Sequence, residues 1–184
     1  MFSRLLERLA LGLDRARVPY MIIGGQAVLL HGEPRLTKDI DVTVGVNLDR
    51  LADMLCAVRE LTLTPLVDPD TFPQETMVLP CQDQDSGIRV DIVFSDSRYE
   101  QIAIERAVPV TIRTAQVRFA SVEDLIIHKL VAGRPRDIED VVGVVRKNRQ
   151  PDSKYIEQWL EPLGAALDQP LVLRWRQIYE RERK

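Results

Sequence analysis

Several short features of this chain carry residues able to do chemistry. Gly24-Gly25 closes one apolar run, Asp39-Ile40-Asp41 opens the next, and Asp91 lies inside an alternating run further on. A glycine pair lets backbone N–H groups approach an anion closely, above all where a helix begins. Side chains two residues apart in a strand share a face, so Asp39 and Asp41 would project together while Ile40 and Val42 enter the core. Carboxylates side by side repel unless a cation sits between them. Mg²⁺ suits such a set because it binds through a few carboxylates and substrate phosphate oxygens. Asp91 would add a third carboxylate from a neighbouring strand. Taken singly, the acidic pair reads as solvated surface acids and the glycine pair as a tight turn. The spacings of a Walker loop and of the three-glycine dinucleotide fingerprint are absent.

The elements around these residues follow from periodicity. Leu5, Leu6, Leu9 and Leu13 recur at helical spacing and predict a helix over residues 3–16. Residues 18–23 read as a buried strand stopped by the glycines, and Ala27 to His31 as a brief helix ended by Gly32. Asp39 to Val44 reads as a strand, and Asn47 as the cap of a helix through Leu61. Residues 62–86, rich in Pro, Asp and Thr, give no clear pattern. Ile88, Val90, Ile92 and Phe94 alternate with Arg89 and Asp91, which predicts a strand. A helix near Tyr99 to Arg106 and strands at 108–112 and 116–119 follow. From Ser121 the pattern is helical, with Ser121 to Asp124 resembling a capping box, Gly133 ending a helix and Pro135 opening another. Two more helices are expected over 153–184. The fold class expected is α/β (α+β): residues 1–119 as a catalytic core with a small mixed sheet flanked by helices, and residues 120–184 as a helical part completing a nucleotide pocket.

Composition narrows the setting. The chain has 184 residues, is 45% hydrophobic and carries a net charge of −3, so it can bury a core and shows no global polycationic mark of nucleic-acid binding. Cys56 and Cys81 lie far apart without metal-ligand spacing, which suits a reducing, cytoplasmic location. No apolar stretch approaches a membrane span, and Met1 to Arg8 mixes charges into its apolar pattern, unlike a secretory leader.

The ordered combination of Gly24-Gly25, Arg35-Leu36-Thr37-Lys38-Asp39-Ile40-Asp41-Val42 and the strand bearing Asp91 resembles the DNA polymerase β-like nucleotidyltransferase superfamily. Within it the nearest likeness is to the abortive-infection type enzymes. The segment from Lys129 to Val141, with Arg134, Arg136, Asp137 and Asp140, is similar to that group's Lys…Arg…Asp-x-x-Asp motif. The resemblance spans about residues 18–145. It implies a metal-dependent transfer of a nucleoside monophosphate from an NTP to an acceptor hydroxyl on RNA or tRNA, protein or a small molecule. It further implies a toxin- or stress-related role with a cognate antitoxin partner. By the same resemblance Asp39, Asp41 and Asp91 hold Mg²⁺ or Mn²⁺, with Asp91 near the attacking hydroxyl. Gly24 and Gly25 cradle the triphosphate, with Arg35, Thr37 and Lys38 close by. Lys129 reaches the nucleotide phosphates, Arg134 lies in the same binding set, and Asp137 or Asp140 positions Lys129 or the base.

Plainer readings stand beside these. Lys129 would serve equally as a lysine snorkelling from an amphipathic helix, and the acids from Asp137 to Asp140 as first-turn residues favouring the helix dipole. His31 and His128, the only histidines, read as structural, and Trp159, Trp175 and Tyr179 as core anchors. Arg146, Lys147, Arg149, Arg174, Arg176, Arg181, Arg183 and Lys184 read either as an RNA face or as solvated helix surface. The rivals in function are a non-catalytic nucleotidyltransferase-fold module serving as antitoxin or regulator, and a two-metal phosphodiesterase or nuclease.

Overall fold

Alternating acid and apolar residues make Asp39–Val44 a strand (β2) with two different faces, and Ile40, Val42 and Val44 on one of them are fully buried. β2 lies parallel to β5, Arg89–Phe94, in a register that stacks Ile40 beside Val90, Val42 beside Ile92 and Val44 beside Phe94. That shared apolar face is what fixes the direction of the acids on the other. On its other side β2 runs antiparallel to β1, Tyr20–Ile23. The computed structural model describes residues 1–95 and 97–183. Its seven-stranded mixed sheet has the order β3-β4-β5-β2-β1-β7-β6.

The remaining strands are β3 (Leu63–Pro65), β4 (Val78–Asp83), β6 (Val108–Ile112) and β7 (Ala115–Phe119). β3 and β4, with the short helix α4 (Phe72–Thr76), occupy the segment whose sequence gives no pattern. Pro65 and Pro80 obscure the strand signal there, and β4 is instead defined by its antiparallel pairing with β5. Helix α1 (Phe2–Arg15) buries Leu5, Leu6, Leu9 and Leu13, as their spacing predicts, and packs on β6 and β7. Glu7 on its surface ties down the β6–β7 turn: the Thr114 N–H and hydroxyl donate to one carboxylate oxygen and Arg113 Nε to the other. Helix α5 (Arg98–Glu105) starts with a complete Ser97/Glu100 capping box and packs on β1 and β2. Asn47 makes no side-chain cap bond; the chain there enters a 3₁₀ turn, Leu48–Arg50, before helix α3 (Leu51–Glu60).

Helix α2 (Gly24–His31) begins at Gly24 itself, so both glycines belong to its first turn rather than to a loop ahead of it. Contacts divide the chain into two compact units, residues 1–26 with 37–120, and residues 27–36 with 121–184. The second unit contains α6 (Val122–Ala132), α7 (Pro135–Lys147), α8 (Ser153–Leu167) and α9 (Leu171–Glu182). Ser121 caps α6 by accepting the Asp124 N–H, and Gly133, at φ 63°, terminates it. Trp175 is fully buried in this unit, donates to the Ser153 hydroxyl and stacks on Tyr179 at 5.0 Å. Residues 27–36 join it through Asn148, whose side chain donates to the His31 carbonyl, and through Lys147, which donates to the carbonyl of Leu30. Among the described residues no helix is long and apolar enough to cross a membrane.

Candidate active site

In the first unit the register of β1, β2 and β5 brings the predicted acids together. Asp41 is the lateral neighbour of Asp91, and Asp39 that of Arg89. Ile23 flanks Asp41 on the far side, and Pro80 of β4 flanks Asp91, so the row across the sheet reads Ile23, Asp41, Asp91, Pro80. Adjacent strands are about 4.8 Å apart, so the backbone positions of Asp41 and Asp91 stand side by side on the sheet. Asp39, Asp41 and Asp91 are all half-buried.

Each acid has a neighbour that shapes its position. The Thr37 hydroxyl donates to Asp39 Oδ1 at 2.9 Å. Gln26 Nε2 lies 3.5 Å from the Asp39 carbonyl. Arg89 Nε donates to both oxygens of Asp91, at 2.8 and 3.1 Å. The glycine pair is fitted to this same set. A Cβ on Gly24 would land on the Asp41 carboxylate, and one on Gly25 would land on the Thr37 hydroxyl. Gly24 also takes φ +61°, which disfavours any side chain. Whatever else the pair binds, it is the socket in which Asp41 and the hydroxyl holding Asp39 are seated. Lys38 is exposed beside them.

The second unit holds a different set. Lys129, 8% exposed, does not snorkel to solvent; its ammonium donates to Asp137 Oδ1 at 2.7 Å and lies 2.9 Å from Asp140 Oδ2. Asp137 also accepts the Arg134 backbone N–H through its second oxygen, closing the N-terminus of α7. Arg35 grips Asp140 with two parallel bonds, Nε to Oδ1 at 2.7 Å and Nη2 to Oδ2 at 2.9 Å. Burial alone would raise the Asp140 pKa, but the hydrogen bonds from Arg35 and Lys129 outweigh it and hold the group below the usual carboxylate value. Arg35 thus sits in the second unit with Lys129, Asp137 and Asp140, while Thr37 sits in the first with Asp39. The Arg134 side chain is exposed.

The fit of a divalent cation can be judged on the donors. Asp39, Asp41 and Asp91 are hard oxygen ligands in adjacent register, the chemistry Mg²⁺ or Mn²⁺ takes. In the rotamers present, no three His, Cys, Asp or Glu side chains among the described residues converge closely enough to enclose an ion. Asp91 is turned to Arg89 and Asp39 to Thr37. The donor set fits; its side chains are engaged with the protein's own groups. The sequence puts Arg89 on the same strand face as Asp91, and the structure adds that its guanidinium is bonded to that carboxylate.

A family model described as a nucleotidyltransferase of unknown function (DUF6036) matches residues 2–149. The chain belongs to this nucleotidyltransferase family. No curated protein matches the sequence. Among solved structures, the chain is similar to an antigenic nucleotidyltransferase-like protein from Paracoccidioides brasiliensis, with TM-score 0.57 and 19% identity over 78% of this chain and 74% of that one. It is also similar to ANT(2'')-Ia in complex with adenylyl-2''-tobramycin, with TM-score 0.55 and 18% identity over 89% and 95% of the two chains. The solution structure of the same antibiotic-resistance factor gives TM-score 0.52 over 97% of this chain and 92% of that one. At such identities the likeness is one of fold, and this nucleotidyltransferase has the mixed sheet and flanking helices of that fold. The two sets of charged side chains therefore stand in a member of a nucleotidyltransferase family whose description leaves its function open.

Proposed function

We propose that this chain transfers a nucleoside monophosphate group from an NTP to an acceptor hydroxyl, with the acids of the first unit as its reacting centre. The observation that carries the reading is the register: Asp41 beside Asp91, with Asp39 two residues away on the same face. The acceptor oxygen forms a bond to the α-phosphorus, the bond from that phosphorus to pyrophosphate breaks, and the acceptor proton passes to Asp91. Mg²⁺ or Mn²⁺ held by Asp39, Asp41 and Asp91 would supply charge neutralisation and acidify the acceptor hydroxyl. The protein's own work is positioning: Thr37 orients Asp39, and the glycine pair gives room to Asp41 and Thr37. Backbone N–H groups at the start of α2 favour a phosphate there. In the second unit, Asp137 and Asp140 hold Lys129 and Arg35 at fixed positions.

A small hydroxylated molecule is the acceptor class favoured here. ANT(2'')-Ia, of the same fold, is seen with an adenylylated antibiotic. RNA is less favoured because Arg146 and Arg181 pair with Glu182, and Arg176 pairs with Glu157; Lys184 of that basic set lies outside the described residues. A toxin or stress role with an antitoxin partner rests on the abortive-infection likeness of the Lys129–Val141 segment, and co-purification from the native host tests it. The reaction itself is tested by incubating the protein with each labelled NTP and Mg²⁺ or Mn²⁺ in a cell extract. Label on a small molecule is the expected result, and label on RNA or protein reassigns the acceptor. Absence of metal-dependent NTP binding by calorimetry, with Asp41→Ala changing nothing, would falsify the enzymatic reading and leave a non-catalytic binding module.

A further inference from the structure

Arg89 is the strongest feature of the first unit that the proposed reaction does not use. It shares the acid-bearing face of the sheet, because it lies two residues before Asp91 on β5 and laterally beside Asp39 on β2. A single N–H of its guanidinium is shared between both oxygens of Asp91. The side chain is 54% exposed against 18% for Asp91. It is therefore a solvated arm laid over a half-buried carboxylate, not part of the core.

We propose that Arg89 is a resident counter-ion for the acid set, which a divalent cation must displace from Asp91 in order to bind; the inference rests on the phosphoryl-transfer reading of Asp39, Asp41 and Asp91. Two physical facts give it direction. An ion pair this exposed is weak and exchanges readily, so Arg89 can leave at small cost. A bound metal and the guanidinium would compete for the same two oxygens and repel each other. While the pair holds, Asp91 is kept turned along its own strand towards residue 89. Arg89 thus lowers metal affinity and keeps the third carboxylate engaged until a cation with bound phosphate competes for it. It is a positioning residue acting through Asp91.

The test is Mn²⁺ binding to the whole protein, read from the electron paramagnetic resonance signal of free Mn²⁺ at low salt. Wild type, Arg89→Met, Arg89→Lys and Asp41→Asn are compared, with and without a non-hydrolysable NTP, and thermal unfolding confirms that each is folded. Arg89→Met keeps the apolar stem and removes the charge. It is expected to bind Mn²⁺ at least about threefold more tightly, as loss of a weak exposed pair permits. Arg89→Lys stays near wild type, and Asp41→Asn loses binding. Mn²⁺ bound no more tightly by Arg89→Met, with Asp41→Asn still losing it, overturns the inference and leaves the acids as the metal site. No Mn²⁺ binding by wild type under either condition overturns both.

Discussion

The two units each hold a set of carboxylates, and they treat them in opposite ways. On the sheet face of the first unit, Asp39, Asp41 and Asp91 are half-buried; Asp39 takes a hydroxyl and Asp91 an exposed guanidinium. In the second, Asp137 and Asp140 are 6% exposed and take the Lys129 ammonium, with Arg35 clamped on Asp140 as well. One set is held loosely enough to exchange partners. The other has its cations built in, and burial makes losing either partner costly. The difference teaches that an acid's identity says little about its task, whereas its partners and exposure say much. The carboxylates near solvent are able to change partners, and the carboxylates that hold a lysine in place are buried with it.

This contrast can be broken by measurement. The largest effect is expected in the second unit: Asp140→Ala strips Lys129 and Arg35 of a shared buried partner and should cost about 3–5 kcal/mol of stability in urea unfolding. A loss below about 1 kcal/mol would show that the network is not tight. Asp41→Asn in the first unit should do the reverse, lowering NMP transfer by about a hundredfold or more, since several kcal/mol of charge stabilisation is lost. Its unfolding midpoint should move less than that of Asp140→Ala, because Asp41 is half-buried whereas Asp140 is 6% exposed. Gly24→Ala sits between these classes. A left-handed alanine costs about 1–2 kcal/mol, and its methyl would also displace the Asp41 carboxylate, so stability and metal affinity should fall together. Metal affinity unchanged in that variant would mean Asp41 can be re-seated.

The smallest effect expected is acid sensitivity at the edge of the first unit. Bonds from Thr114 and Arg113 hold Glu7 down at about 2 from an ordinary 4.5. A depressed carboxylate contributes stability that is fully present above pH 4.5 and is lost as pH falls from 4.5 towards 2. Glu7→Gln should therefore flatten the stability profile over that interval and leave neutral-pH transfer intact. Asp140, also depressed by its cations, gives the second unit a loss of the same sign below its ordinary pKa of 3.8. Acid titrations of Glu7→Gln and wild type, followed by circular dichroism, separate the two contributions.

For β2, β5 and α1 the spacing of the apolar residues specified the element. β2 and β5 lie where Ile40, Val42, Val90 and Ile92 demand, and α1 where its leucines demand. β3 and β4 stayed hidden because their prolines and polar residues are satisfied by pairing with a neighbour, and local pattern does not record pairing. The start of α2 at Gly24 was hidden for a related reason. A glycine reads as a breaker in isolation, and its role as a socket exists only once Asp41 and Thr37 are folded against it.

For the site, residue types and spacing made Asp39, Asp41 and Asp91 candidates, the resemblance to nucleotidyltransferases added Lys129 and Asp137, and their part in phosphoryl transfer is the proposal made above. The sequence determined which side chains share a strand face, because that follows from a two-residue period within one segment. The tertiary structure alone decided that Asp41 stands beside Asp91, that Arg35 serves Asp140, and that Arg89 covers a carboxylate. Strand order, register and rotamer choice arise from contacts between distant segments, and such contacts have no signature within any one of them.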